Sequence, residues 1–183
     1  MWLAAVRAEL CGQDGYEVGV GPVRAAARAA ALFAVHRPTW AVLVGSAGVY
    51  GDRRPIGSGH VTGTQVWADG ASVVGLAYSP LAPPPIVGLV PGLPADAPAV
   101  VTVPSITSDT GLADQLGRLG DLEHLEAYAV AHAALEAGVP LLIALGVSNR
   151  VGPGAHAEWV ANRAQAERAA VDAAIAFLGA WPR

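Results

Sequence analysis

Lysine is missing from this chain of 183 residues: all 11 of its basic residues are arginines. Without a lysine there is no Schiff-base amine and no P-loop ammonium, so imine chemistry and P-loop nucleotide hydrolysis are excluded. Cysteine occurs once, at Cys11, which rules out an internal disulfide and a multi-thiolate metal site. A reducing cytoplasm is the expected compartment. Charged residues make up only 14% of the chain and the net charge is −4, with no basic stripe, so nucleic acid is not an expected partner. Long apolar runs are also lacking. The most apolar window, "VPLLIALGV" (139–147), is far too short to span a bilayer. No basic segment precedes an apolar run at the N-terminus, so no signal peptide and no membrane association are expected. The histidines at 36, 60, 124, 132 and 156 lack the spacing of a zinc site, and neither a metal nor a cofactor is implied.

Hydrophobic residues, many of them alanine, account for 53% of the chain, which excludes overall disorder and favours close-packed helices. The length fits one domain over 1–183. "MWLAAVRAE" reads as a short strand ending on Glu9. A second strand follows, then a glycine turn and an Ala-rich helix from about Pro22. "TWAVLVGSAGVYG" reads as a buried strand running into a glycine-rich loop. "SGHVTGTQVWADGASVVGLAY" reads as two strands joined at Asp69-Gly70, a hairpin signal. Residues 80–98 hold 7 of the 14 prolines and read as an irregular excursion inside the domain.

"AVVTVPSI" is again a strand. "EHLEAYAVAHAALEAG" reads as a helix closed by Gly138, followed by the strand "VPLLIALGV". A last helix, from about His156 to Leu178, places Trp159, Ala166, Val171, Ile175 and Leu178 on one stripe. Strands alternating with helices, each strand nearly continuous in apolar residues, predict an α/β fold. The expected form is three layers, α/β/α, around a mixed and largely buried central sheet. Ligands of such sheets bind beyond the carboxyl ends of the strands. There the sequence sets Glu9, "GSAG" (45–48), "PSITSD" (104–109) and "SNR" (148–150).

Taken in order, "AVRAE", "GVGPVRAA", "VLVGSAG", "LEAYAVAHAALEAGVP" and "GVSNRVG" resemble the nucleoside phosphorylase and nucleosidase superfamily. Within it they are most similar to the futalosine hydrolases, which serve an alternative menaquinone pathway. The resemblance covers nearly the whole chain. It implies a cytoplasmic hydrolase that binds a small purine nucleoside and assembles as a homodimer or larger homo-oligomer. It also implies cleavage of the N-glycosidic bond of futalosine or a close analogue, releasing hypoxanthine. A phosphorylase and a non-catalytic nucleoside-binding paralogue are the alternatives.

Carried over residue by residue, the resemblance makes Glu126 the carboxylate that holds the ribose hydroxyls. By itself it reads equally as a charge favoured at a helix start. Glu9 corresponds to the water-activating base, where alone it reads as a solvated strand-end charge. Relatives commonly carry Glu-Met-Glu where this chain has His124-Leu125-Glu126. The last glutamate is kept, Leu125 counts with the substrate-binding residues, and His124 either touches a sugar hydroxyl or is a loop histidine with no ligand.

Asn149 occupies the leaving-group position. Relatives acting on 6-aminopurines tend to have Asp there, whereas an amide donates to N7 and to a 6-oxo oxygen, matching hypoxanthine. Its other reading is a turn-shaping Asn before Gly152-Pro153. Ser46, Ala47 and Gly48 line the sugar site in this reading, or else permit a tight strand-to-helix turn. Ser105 and Ile106 flank the base. Arg150, with Arg53 and Arg54, is a candidate for the substrate's distal carboxylate or simply a surface arginine.

Overall fold

Two long strands, β3 (Ala41–Val49) and β8 (Leu141–Arg150), run parallel along their whole lengths at the centre of the molecule. Their side chains alternate between two cores, as the period of two requires. Leu43, Leu141, Ile143 and Leu145 face one way, and Val42, Val44, Leu142 and Ala144 the other. The computed structural model describes residues 1–80 and 82–181, so the excursion expected at 80–98 lies outside the described residues at Leu81.

The chain order is β1 (Trp2–Ala4), a 3-10 turn (Arg7–Leu10), β2 (Gly15–Glu17), α1 (Pro22–His36), β3, β4 (Gly59–Val61) and β5 (Gln65–Trp67). It continues with α2 (Gly70–Val73), β6 (Val100–Thr102), α3 (Thr110–Leu116), β7 (Leu122–His124), α4 (Ala127–Ala137), β8 and α5 (Ala155–Ala180). The sheet is mixed. The start of β3 pairs with β1, which pairs with β2, all parallel. The end of β3 pairs antiparallel with β7, and β6 and β5 follow in parallel. On its other side β3 carries β8, whose outer neighbour β4 is antiparallel.

Helices α1 and α4 cover one face and α5 the other, giving the α/β/α layering. Helix α5 lies directly on the sheet because Gly146 and Gly59 leave room. A Cβ at either would collide with the backbone carbonyls of Ala166 and Ala169. No helix among the described residues is long and apolar enough to cross a membrane.

Several local expectations change. Asp69-Gly70 is not a hairpin. The Asp69 carboxylate accepts from the N–H groups of Ala71 and Ser72 at 3.3 and 3.2 Å and caps α2, so β5 is left to pair with β6. The same Asp-Gly pair serves as a helix cap as readily as a turn. Glu9 sits on the 3-10 turn after β1 rather than at the strand end, and residues 45–48 lie inside β3 rather than in a loop. Glu123 and His124 belong to β7, and Glu126 is the N-cap of α4. Ile175 faces away from the sheet, and the buried stripe of α5 is largely alanine.

Candidate active site

The carboxyl ends of β1, β3, β7 and β8 converge on a cavity of about 440 Å³, walled on one side by α5. It brings together Glu9, Ser46, Ala47, Gly48, Ile106, Leu125, Glu126 and Asn149 from five separated stretches of sequence. Ser105 and Arg150 do not line it.

Glu9 is buried although it ends no strand. The 3-10 turn folds its carboxylate back over β1, where Oε2 accepts from the N–H groups of Ala5 and Val6 at 3.1 and 3.4 Å. Oε1 accepts from the N–H of Ser46 at 3.3 Å. Burial raises its pKa, and the nearby His124 and the backbone donors oppose that rise. Opposite stands Nε2 of His124. A Cβ on Gly45 would lie 3.0 Å from that nitrogen and 3.4 Å from the Glu9 Oε1, so the glycine keeps open the space between them.

Glu126 faces the cavity from the start of α4 and is tied to the start of α1, where the N–H of Gly21 donates to its Oε1 at 2.6 Å. Gly21 holds φ at +88°, a conformation that side chains rarely adopt. Burial lifts the Glu126 carboxyl to about 7. Its Oε2 lies 3.2 Å from Nδ1 of His124, but the two do not form an ion pair. Burial lowers the imidazole to about 4, and Nδ1 already accepts from the N–H groups of Glu126 and Ala127, both at 3.1 Å. His124 is therefore the neutral Nε2–H tautomer, and its lone pair faces the carboxylate. That juxtaposition also favours a proton on Glu126.

Asn149 is oriented by its strand. The β3–β8 register slips between Ala47 and Gly48, so Ser148 is bulged out of the pairing. The Ser148 hydroxyl lies 3.1 Å from the Ala47 carbonyl and 2.8 Å from Oδ1 of Asn149. On the other side Nδ2 donates to the Arg150 carbonyl at 3.0 Å. A carbonyl only accepts, so the amide nitrogen must face it, and the hydroxyl proton then goes to Oδ1. The expectation of two amide donors for the base is corrected here. One hydrogen of Nδ2 is engaged by Arg150, and one remains for a ligand.

The three arginines singled out in the sequence point elsewhere. Arg150 is exposed and pairs with Asp52 at 2.9 Å and Glu158 at 3.6 Å. Adjacent residues of a strand project to opposite sides, so the residue after Asn149 turns outward. Arg53 binds the Gly120 carbonyl and Asp121, and Arg54 binds Asp96. Glu123, Arg163 and Glu167 also line the cavity without having drawn attention, and so does Trp159, which was read only as part of the apolar stripe of the last helix. Glu123 accepts from the Tyr50 hydroxyl at 2.8 Å and the Thr107 N–H at 3.0 Å, which fastens the loop that carries Ile106. Trp159 donates from Nε1 to the Ser46 hydroxyl at 3.1 Å. Its spacing from Arg163 and Glu167, four residues at a time along one helix face, was the available signal.

No protein-family model and no curated protein sequence matches the chain. Solved structures match its fold. A 5′-methylthioadenosine/S-adenosylhomocysteine nucleosidase from Neisseria meningitidis, in complex with methylthio-immucillin-A, superposes with a TM-score of 0.80 at 14% identity, over 98% of each chain. A nucleosidase of the same name from Colwellia psychrerythraea, in complex with adenine, gives 0.78 at 16% identity, over 97% of this chain and 93% of that one. A mutant of futalosine hydrolase from Helicobacter pylori gives 0.81 at 13% identity, over 98% of each chain. The fold is thus the one those nucleosidases share.

Proposed function

We propose that this protein hydrolyses the N-glycosidic bond of a 6-oxopurine nucleoside, futalosine or a close analogue, and releases hypoxanthine. The observation that carries the reading is the convergence of Glu9, Glu126 and Asn149 on one cavity, with Asn149 locked as a donor.

Water attacks the anomeric carbon as the bond to the purine breaks, and the bonding electrons leave with the base. Glu9, held by three backbone N–H groups, takes the proton of that water. The sugar passes through an oxocarbenium-like state, and Glu126 accepts hydrogen bonds from its hydroxyls, which strengthen as positive charge develops. The remaining N–H of Asn149 is shared between N7 and the neighbouring 6-oxo oxygen and stabilises the departing purine. A 6-amino group would set a donor against that donor.

Phosphorolysis is the weaker reading, because Arg53 and Arg54 are both occupied by partners away from the cavity. Arg163 is the one arginine among the described residues that lines it, short of the arginine and serine set that usually holds a phosphate. The two reactions are separated by the sugar product. Hydrolysis gives the free sugar whether or not phosphate is present, and appearance of a sugar 1-phosphate would overturn this assignment.

A further inference from the structure

Ala155, Trp159, Arg163 and Glu167 form a single stripe of α5 along the cavity wall, about 18 Å from end to end at the helical rise of 1.5 Å per residue. The mechanism uses none of them. The Arg163 guanidinium lies 5.0 Å above the Trp159 ring, whose other neighbour is the stacked His156 at 5.7 Å. Among the described residues Arg163 makes no hydrogen bond and has no carboxylate within ion-pair distance. Glu167, one turn further, is buried and feels the Arg163 charge, but it lies beyond ion-pair distance of the guanidinium. The same cavity is lined by two exposed apolar side chains, Val6 and Val20.

A nucleoside in the proposed orientation gives its base to Asn149, its hydroxyls to Glu126 and its anomeric carbon to the Glu9 side. The substituent at C5′ is then left to occupy the wall of Val6, Val20 and Trp159. We propose that Arg163 anchors a carboxylate at the end of that 5′ arm, with the apolar part of the arm lying against Trp159. Arg163 thereby selects nucleosides with an anionic 5′ substituent. The chemistry matches: a guanidinium over an indole face keeps its fork free for a two-pronged bond to a carboxylate. Arg150, Arg53 and Arg54 already hold carboxylates of the protein. This inference rests on the reading of the cavity as a purine nucleoside site.

The test compares a hypoxanthine nucleoside whose 5′ arm ends in a carboxylate with the same compound carrying a carboxamide. Both kcat/KM and calorimetric binding are measured, on the wild type and on Arg163→Gln. The wild type is expected to favour the carboxylate, and Arg163→Gln to lower the carboxylate-to-carboxamide ratio about 10- to 100-fold, the range of a lost charge-assisted pair. Arg163→Lys should recover part of it. A ratio unchanged by Arg163→Gln overturns the proposal. If no nucleoside is cleaved but the carboxylate still binds better in an Arg163-dependent way, the hydrolase reading fails and the anionic subsite stands.

Discussion

Replacing Glu126 by Gln should make the protein more stable at alkaline pH while it loses activity. Glu126 is only 4% exposed, and burial moves its carboxyl from 4.5 to about 7, with the Gly21 hydrogen bond already working against the rise. Ionising it inside the fold thus costs about 3 kcal/mol more than ionising it in the unfolded chain. The sign follows from the raised folded-state value. Below 4.5 both states hold the proton and the cost is absent. It grows as pH rises toward 7, where the unfolded chain has lost its proton first, and it is complete above 7. Gln has no proton to lose, and its amide oxygen can keep the hydrogen bond from the Gly21 N–H.

Urea or thermal denaturation of both proteins at about pH 5 and about pH 8.5 measures the effect. The variant should gain less than about 1 kcal/mol at the lower pH and about 3 kcal/mol at the higher, or about 5–10 °C in Tm for a chain of this size. Turnover of the folded variant should fall by roughly 10²-fold or more, the scale of a lost transition-state contact. Wild-type kcat/KM should rise through pH 7 as the carboxylate forms. Equal stability of the two proteins at the higher pH, or near-native turnover of the variant, would refute the reasoning.

Glu9→Gln should lower kcat by about 10²–10⁴-fold, as for a lost general base, with calorimetric binding less affected; an unchanged kcat means that water is activated elsewhere. Asn149→Asp should shift kcat/KM from 6-oxo toward 6-amino nucleosides by about 10- to 100-fold, the cost of facing donors. The shift should grow as pH falls, because only the protonated acid donates; a ratio that stays put as total activity changes separates Asn149 from base choice. His124 divides into two halves. Asn can replace its Nδ1 as acceptor for the N–H groups of Glu126 and Ala127, and Gln can present a donor near Nε2. His124→Asn should therefore keep more of the native Tm than His124→Gln, and the reverse order contradicts the tautomer assigned here.

Much of the fold was legible because its long strands are apolar on both faces, and β8 ends on the polar run Ser148-Asn149-Arg150 as read. The position of the site followed from that ending. What the sequence concealed was the direction of side chains. Arg150 beside Asn149 read as either a ligand of the substrate carboxylate or a surface arginine, and the pleat decides for the second by sending it to Asp52. Arg163 and Glu167 drew no reading from the sequence, because four-residue spacing of charges along one face of a long helix is common. It took the close seating of α5 on Gly146 and Gly59 to turn that face toward the cavity. Glu9 was placed on the end of a strand, whereas only a 3-10 turn brings its carboxylate under three backbone donors. Asp69-Gly70 failed as a hairpin because an aspartate that caps a helix and one that opens a turn look alike in sequence.

The central claim is tested most directly by chromatography of the bases released from futalosine, inosine and methylthioadenosine under identical conditions. Hypoxanthine released from futalosine at the highest kcat/KM of the three, with adenine release from methylthioadenosine well below it, is the predicted result. Adenine release that outpaces hypoxanthine release, or no base released from any of the three, would contradict it.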